Sequence, residues 1–411
     1  MAVARILGKV AVSSGLLGCL AGLMLHFHIA TYPYLAWALA GSLAIYLWTR
    51  PGFRSLVIAI LFGLAFAFVY AVVKQEPVGG AALAFLGLGS LASVGLAALW
   101  CGPAERSTSS QTCLIASMLP LCQVLAGLSL AATSIAHPKT YDLFLYAFDA
   151  QLGESPSFLA GRLLARCAAV RQICYLGYVA LPLAMAIAFA LDRRRRDHRA
   201  PSVVRAFAAA AALGFLLYNF YPATGPVYVF GSRFPFSAPP AGLPPFGLVA
   251  VESAPRNAMP SLHLAWALLI FWNSRRWAVG WRVLAGALLA VIALATLGLG
   301  EHYLVDLFVA VPFALLAQGL AASGASWRNA VRIACVGTGA LLVLAWLTYL
   351  RLPSPPLQSS GALLWSLLLG SAAASVILES RLHLAVAQAG VTALGAVNAR
   401  EYTEPLVEAP G

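Results

Sequence analysis

The stretch AVGWRVLAGALLAVIALATLGLGEHYLVDLFVAVPFALLAQGLAAS, residues 278–323, holds two apolar runs, 278–299 and 303–323, joined at Glu301 and His302. Runs of about 18–22 apolar residues suffice to cross a ~30 Å hydrocarbon core as an α-helix. The stretch therefore predicts two antiparallel membrane helices with ionisable residues at their shared end. Working outward, the same pattern recurs at 10–30, 32–49, 55–73, 80–100, 112–136, 173–191, 203–221, 261–274, 328–350 and 361–378, which makes about twelve spans. The run at 261–274 is the shortest. The first run follows Arg5 and Lys9 as a secretory signal would. With no charged stop behind it and another span directly after, it is expected to be a retained helix.

Composition agrees. Of 411 residues 61% are hydrophobic and only 10% are charged, whereas an ordinary soluble domain carries about 25% charged residues. The mean hydropathy is +0.84. These values exclude a soluble domain, a disordered chain and a small disulfide scaffold. The seven cysteines are odd in number and show no CxxC or Cys/His metal spacing, so they are expected to be small packing residues. The net charge of +12 has no aromatic-interleaved basic stretch beside it, which argues against nucleic acid as a partner.

The charge instead orients the spans. Alternation from a cytoplasmic N-terminus places 18 of the 26 Lys and Arg residues inside, including the block Asp192–Arg199 with its run Arg193–Arg196. The outside set is Lys74, Lys139, Arg162, Arg166, Arg171, Arg233, Arg256 and Arg351. Two outside segments are too long to be turns. In 137–172, Tyr141, Phe144, Leu145 and Phe148 recur at helical spacing with Asp142 and Asp149 on another face, which predicts an amphipathic helix at the interface. Arg162 and Arg166 would anchor that region. Segment 222–258 is rich in Pro and Gly; long ordered loops of this kind are usually functional.

Two histidines stand apart from the rest. His263 lies in RNAMPSLHLAW, residues 256–266, where Pro260 suits the first helical position. The N–H groups near Ser261 and Leu262 would then be open donors of a helix N-terminus, a good seat for phosphate, with Arg256 a few residues upstream. A proline-started helix with an incidental histidine explains this segment equally well. His302 and Asp306 are spaced i, i+4 and share one helix face. Asp306 lies inside an apolar span, so its carboxylate needs a partner, and His302 is the nearest. A carboxylate accepting one imidazole N–H would set the tautomer and leave the other nitrogen's lone pair open. Topology brings His263 and the His302–Asp306 pair to one membrane face. Two imidazoles beside a helix N-terminus and an arginine suit phosphoryl transfer, one attacking phosphorus and the other protonating the leaving oxygen.

MPSLH and HYLVD, about forty residues apart, resemble the signatures of the type 2 phosphatidic acid phosphatase superfamily, and most of all its inositol phosphorylceramide synthase-like branch, whose motifs have the form PSLH and HYxxD. The resemblance implies that His302 is a nucleophile forming a phosphohistidine, that Asp306 orients it, and that His263 is the general acid. It implies no metal and no cofactor. The superfamily's arginine six residues before the nucleophile is Thr296 here, and its opening lysine/arginine-proline motif is not evident; Arg256 and Arg233 are the candidate substitutes for binding substrate, with Ser261. YPATGP, residues 221–226, is similar to a proline-rich segment of the same branch.

The expected architecture is an all-α polytopic transmembrane helix bundle: a four-helix extension at 1–111, a six-helix phosphatase-like core at 112–323, two further helices at 324–378 and a polar cytoplasmic tail at 379–411. The expected function is a phosphotransferase or phosphatase acting on a phospholipid or lipid-linked phosphate in the bilayer of the plasma (inner) membrane, with its site on the non-cytoplasmic face. A transporter and a catalytically inactive family member stand as alternatives. Twelve spans suit a transporter, but no internal repeat and no string of buried charges supports one.

Overall fold

The computed structural model describes residues 2–27, 29, 32–194, 202–237, 246–252, 254–322, 325–352 and 360–401. Part of the Arg193–Arg196 run, and Glu404 and Glu408 of the tail, lie outside them. Among the described residues the chain forms sixteen α-helices: α1 (Ala2–His26), α2 (Pro33–Trp48), α3 (Phe53–Lys74), α4 (Ala82–Trp100), α5 (Pro103–Ala136), α6 (Asp142–Gln151), α7 (Pro156–Arg166), α8 (Ala168–Val179), α9 (Leu181–Arg194), α10 (Val203–Phe220), α11 (Pro226–Phe230), α12 (Leu262–Asn273), α13 (Val279–Gly298), α14 (Leu304–Ala321), α15 (Ala330–Tyr349) and α16 (Gly361–Glu401). A two-stranded antiparallel ladder pairs β1 (Lys139–Thr140) with β2 (Val249–Ala250) and clips the two long loops together. The molecule is an all-α polytopic bundle.

All twelve apolar runs are helical, yet only nine of the described helices are long and apolar enough to cross a membrane. The pair α8–α9, bent by 57°, would make a tenth. The two that fall short are α2, with 16 residues, and α12, with 12. At 1.5 Å per residue, α12 covers only about 18 Å. Apolarity marked its burial, but its length is not that of a span.

Contacts divide the chain into two compact units, 1–132 with 172–194, and 133–171 with 195–411. In the first unit α4 packs against α2, α3 and α1, and α2 packs against α9. Its core gathers Leu35, Leu39, Tyr70, Phe85 and Leu88. A Cβ on Gly87 would lie 2.1 Å from the Leu39 carbonyl oxygen, so the close α2–α4 approach requires glycine there.

In the second unit α14 is the central helix, packed by α15, α16, α10, α12 and α6. One expectation is corrected here. Helix α6 does not lie with its acids toward water: Asp142 and Asp149 are both fully buried. Helix α16 continues through Glu379, whose carboxylate is buried against Arg275. Pairing allows an acidic residue to stay in an apolar bundle.

Candidate active site

The site is built on the turn between α13 and α14. Helix α13 ends in a Schellman arrangement: Gly300 N–H donates to Leu297 O at 3.0 Å and Glu301 N–H to Thr296 O at 3.1 Å. Gly300 takes φ +79°, the left-handed conformation this ending needs. His302 N–H also donates to Thr296 O, at 3.1 Å, and the His302 carbonyl accepts from Ser157 Oγ of α7 at 2.9 Å. The histidine backbone is thus held from both sides, and the residue is only 1% exposed.

The ring is held as firmly. Nδ1 lies 2.8 Å from the Ala258 carbonyl oxygen and 3.4 Å from Asp306 Oδ2; Nε2 lies 3.1 Å from Ser261 Oγ. A carbonyl can only accept, so Nδ1 carries the proton and Nε2 presents its lone pair toward the serine hydroxyl. The Ala258 carbonyl is the shorter contact and sets the tautomer; Asp306 adds its charge from slightly farther away. Burial lowers the His302 pKa to about 4, against the raising effects of Glu301 and the Ala258 bond. The imidazole is neutral at pH 7.

Ser261 caps α12, so Pro260 precedes the helix instead of taking its first position. The Ser261 Oγ accepts from Leu264 N–H at 3.4 Å and the Ser261 N–H donates to Asp306 O at 3.4 Å. The Ser261 N–H, expected to be open, therefore has a protein partner. His263 sits at the second helical position, half-buried, with its ring 6.3 Å from that of Trp266, and it interacts electrostatically with His302. The fold brings Ser261, His263, His302 and Asp306 together where α12 and α14 begin.

Sequence reasoning missed the two carboxylates of α6. Asp149 accepts from Leu304 N–H at 2.6 Å and Val305 N–H at 3.2 Å, capping α14 from outside. Asp142 accepts from Thr224 and Gly225 N–H, the latter at 2.8 Å, and from the Tyr303 hydroxyl at 3.2 Å. Asp306 Oδ2 accepts from Tyr303 N–H at 2.8 Å. Three carboxylates thus grip residues 303–305, directly after His302. Burial raises Asp142 and pushes Asp149 up to about 8, the latter offset by its backbone donors and reinforced by the charge of Asp306. Among the described residues no group of three or more His, Cys, Asp or Glu side chains could hold a metal ion. The available signal was the need itself: the first N–H groups of a buried helix require acceptors, and few acids exist to supply them.

The loop 221–226 braces the other side. Ala258 N–H donates to Ala223 O at 2.9 Å, which fixes the carbonyl that holds His302, and Val227 N–H donates to Gly300 O at 3.0 Å. Gly225 has φ +109°, and a Cβ there would lie 2.4 Å from Glu301 O. Arg256 is 1% exposed and its guanidinium binds three backbone carbonyls, of His137, Ala254 and Val251. It ties loop to loop, with two of its five N–H donors left over. Arg233 ends a short turn and is exposed; among the described residues no contact joins its side chain to either histidine.

No curated protein and no solved structure matches the chain. The stretch from α6 through α14 carries Asp149, Ser261, both histidines and Asp306, and over residues 143–320 it matches the family model of the PAP2 superfamily.

Proposed function

We propose that the chain is an integral-membrane phosphotransferase or phosphatase acting on a lipid-linked phosphate, with His302 as nucleophile. The observation that carries this reading is the His302 ring: Nδ1–H anchored on a backbone carbonyl, Nε2 lone pair open toward Ser261, beside His263. The match of residues 143–320 supports the same chemistry.

In the first half-reaction the Nε2 lone pair attacks phosphorus. A P–N bond forms, the P–O bond to the lipid alcohol breaks, and the departing oxygen takes a proton from the imidazolium form of His263; burial and then His302 lower that pKa to about 3, and the negative charge of a bound phosphate raises it. The positive charge on the imidazole is met by Asp306 at 3.4 Å. Ser261 Oγ–H turns from Nε2 to a phosphoryl oxygen. In the second half water or an alcohol attacks phosphorus, the P–N bond breaks, and the acceptor's proton goes to His263. The PSLH and HYLVD signatures favour the inositol phosphorylceramide synthase-like branch and hence transfer. The excess of Lys and Arg on the opposite loops favours a site on the non-cytoplasmic face. Only protein groups take part in these steps, so turnover is expected to persist in chelator.

The test is purified protein with phosphatidate in detergent, following phosphate release and head-group exchange, and acid-labile labelling of the protein by radioactive phosphate. Both turnover and label are expected, and both are lost in His302→Ala. Turnover that survives this substitution rules out the covalent mechanism.

A further inference from the structure

The second unit holds three arginines whose surroundings differ in one respect. Arg256 binds three backbone carbonyls. Arg332 does the same with Gly319, Leu320 and Ala325 at 2.7–3.0 Å. Such guanidinium groups are tied into the fold. Arg351, two residues beyond α15, makes no side-chain hydrogen bond to any described residue, and its Nε is buried without a partner. Its guanidinium carbon lies 4.0 Å from the Phe220 ring centroid, 5.1 Å from that of Tyr141 and 5.8 Å from that of Tyr221. Aromatic faces hold a guanidinium by cation–π attraction and leave its in-plane N–H fork for an oxyanion.

A groove begins at Tyr349, two residues before this cation. Helices α15 and α16 enclose about 400 Å³ between Leu342, Trp346, Tyr349, Leu367, Gly370 and Ala374. Its lining on α15 extends from Thr338 to Tyr349, about 16 Å of helix, which is the depth of one leaflet's hydrocarbon. The same end of the bundle carries the site. Tyr221 Oη–H donates to Leu350 O at 3.1 Å, Tyr141 N–H to Pro222 O at 2.9 Å, and Ala258 N–H to Ala223 O at 2.9 Å, next to the carbonyl that holds His302.

A cation with no side-chain hydrogen bond to a described residue, at the end of a leaflet-deep apolar slot, has the shape of one amphiphile. We infer that Arg351 and the α15–α16 groove bind an anionic phospholipid, its phosphate on the guanidinium and one acyl chain between the helices. Both parts lie outside residues 143–320. The inference does not rest on phosphoryl transfer at His302.

The test uses full-length protein in neutral detergent and measures binding of fluorescent phosphatidylglycerol, with diacylglycerol and inorganic phosphate as competitors. Arg351→Gln is expected to weaken phosphatidylglycerol about tenfold, the scale of one charge-assisted contact. Gly370→Leu fills the slot without a clash, since a Cβ at Gly370 meets nothing within 4 Å. It is expected to weaken the lipid to a similar degree while leaving the ligand-free melting temperature unchanged. Unchanged affinity in either variant overturns the inference. So does competition by inorganic phosphate that Gly370→Leu does not alter, which would mark a free-anion site, or displacement by diacylglycerol as effective as by phosphatidylglycerol. Should His302→Ala abolish turnover and leave this binding intact, the two sites are separate.

Discussion

The two compact units differ most in what they bury. Among the described residues, the unit of 1–132 and 172–194 buries no charged side chain; its buried polar groups are hydroxyls, among them those of Ser42, Ser90 and Ser93. Each can satisfy itself on a nearby carbonyl or hydroxyl, as Ser42 does on Ala116 O at 2.6 Å. The unit of 133–171 and 195–411 buries Asp142, Asp149, Arg256, His302, Asp306, Arg332 and Glu379. Ionisable groups in a membrane protein are expensive and persist where they are paired or functional. One unit is therefore helix packing throughout. The other maintains buried polar groups, of which Asp142, Asp149 and Asp306 hold residues 303–305 directly after His302.

That contrast breaks at once if the buried charges prove dispensable. The largest effect is expected from His302→Ala: a loss of at least about a thousandfold in turnover of a phosphate lipid, the scale of removing a nucleophile or acid–base group, with a melting temperature near that of the parent. Next come two glycines, one from each unit. Gly225→Ala forces a Cβ to 2.4 Å from Glu301 O at φ +109°. It is expected to cost about 2 kcal/mol of stability and to lower turnover per folded molecule about tenfold, because the His302 turn moves. Gly87→Ala collides equally, at 2.1 Å from Leu39 O, but should lower only the melting temperature. Equal loss of specific activity in both variants would erase the distinction.

Acidity sharpens the comparison. His302 titrates at about 4 when folded and near 6.5 when unfolded. Between those values the unfolded chain binds the extra proton, so stability falls as pH drops from about 6.5 to 4. Activity should hold until pH nears 4, where Nε2 becomes protonated. Asp149 behaves oppositely. Its folded pKa of about 8 lies above the unfolded value of 3.8, so the stability it lends is complete below about 3.8 and is lost as pH rises through 8. Asp149→Asn should flatten the alkaline side of a melting-temperature profile; an unchanged slope would refute the role assigned to burial. The smallest effect is expected in the first unit: Ser42→Ala should change stability by no more than about 1 kcal/mol and turnover not at all.

Much of this was legible beforehand. The twelve apolar runs are all helices, and the i, i+4 spacing of His302 and Asp306 does place them at one site with Ser261 and His263. The runs and the i, i+4 spacing are local features, readable from residues a few positions apart; the approach of Ser261, 41 residues before His302, is not. The loop YPATGP earned attention from its composition, though nothing in it announced that Gly225 must face the Glu301 backbone. The acids of α6 misled because an apolar stripe opposite two aspartates looks the same whether those aspartates meet water or the start of another helix.

The sequence by itself determined a helical membrane bundle and the i, i+4 spacing of His302 and Asp306, because hydropathy and periodicity act over a few turns; it did not show that α14 starts at Leu304, which leaves His302 just outside the helix that holds Asp306. Only the tertiary structure decided that Ala258, 44 residues from His302, sets the tautomer, and that Asp149, 155 residues from Leu304, caps the helix behind it. It also decided that Arg256 is tied to carbonyls while Arg351 makes no side-chain hydrogen bond among the described residues. A hydrogen bond is directional and short, so which acceptor meets which donor depends on how distant helix ends converge, and no spacing along the chain encodes that.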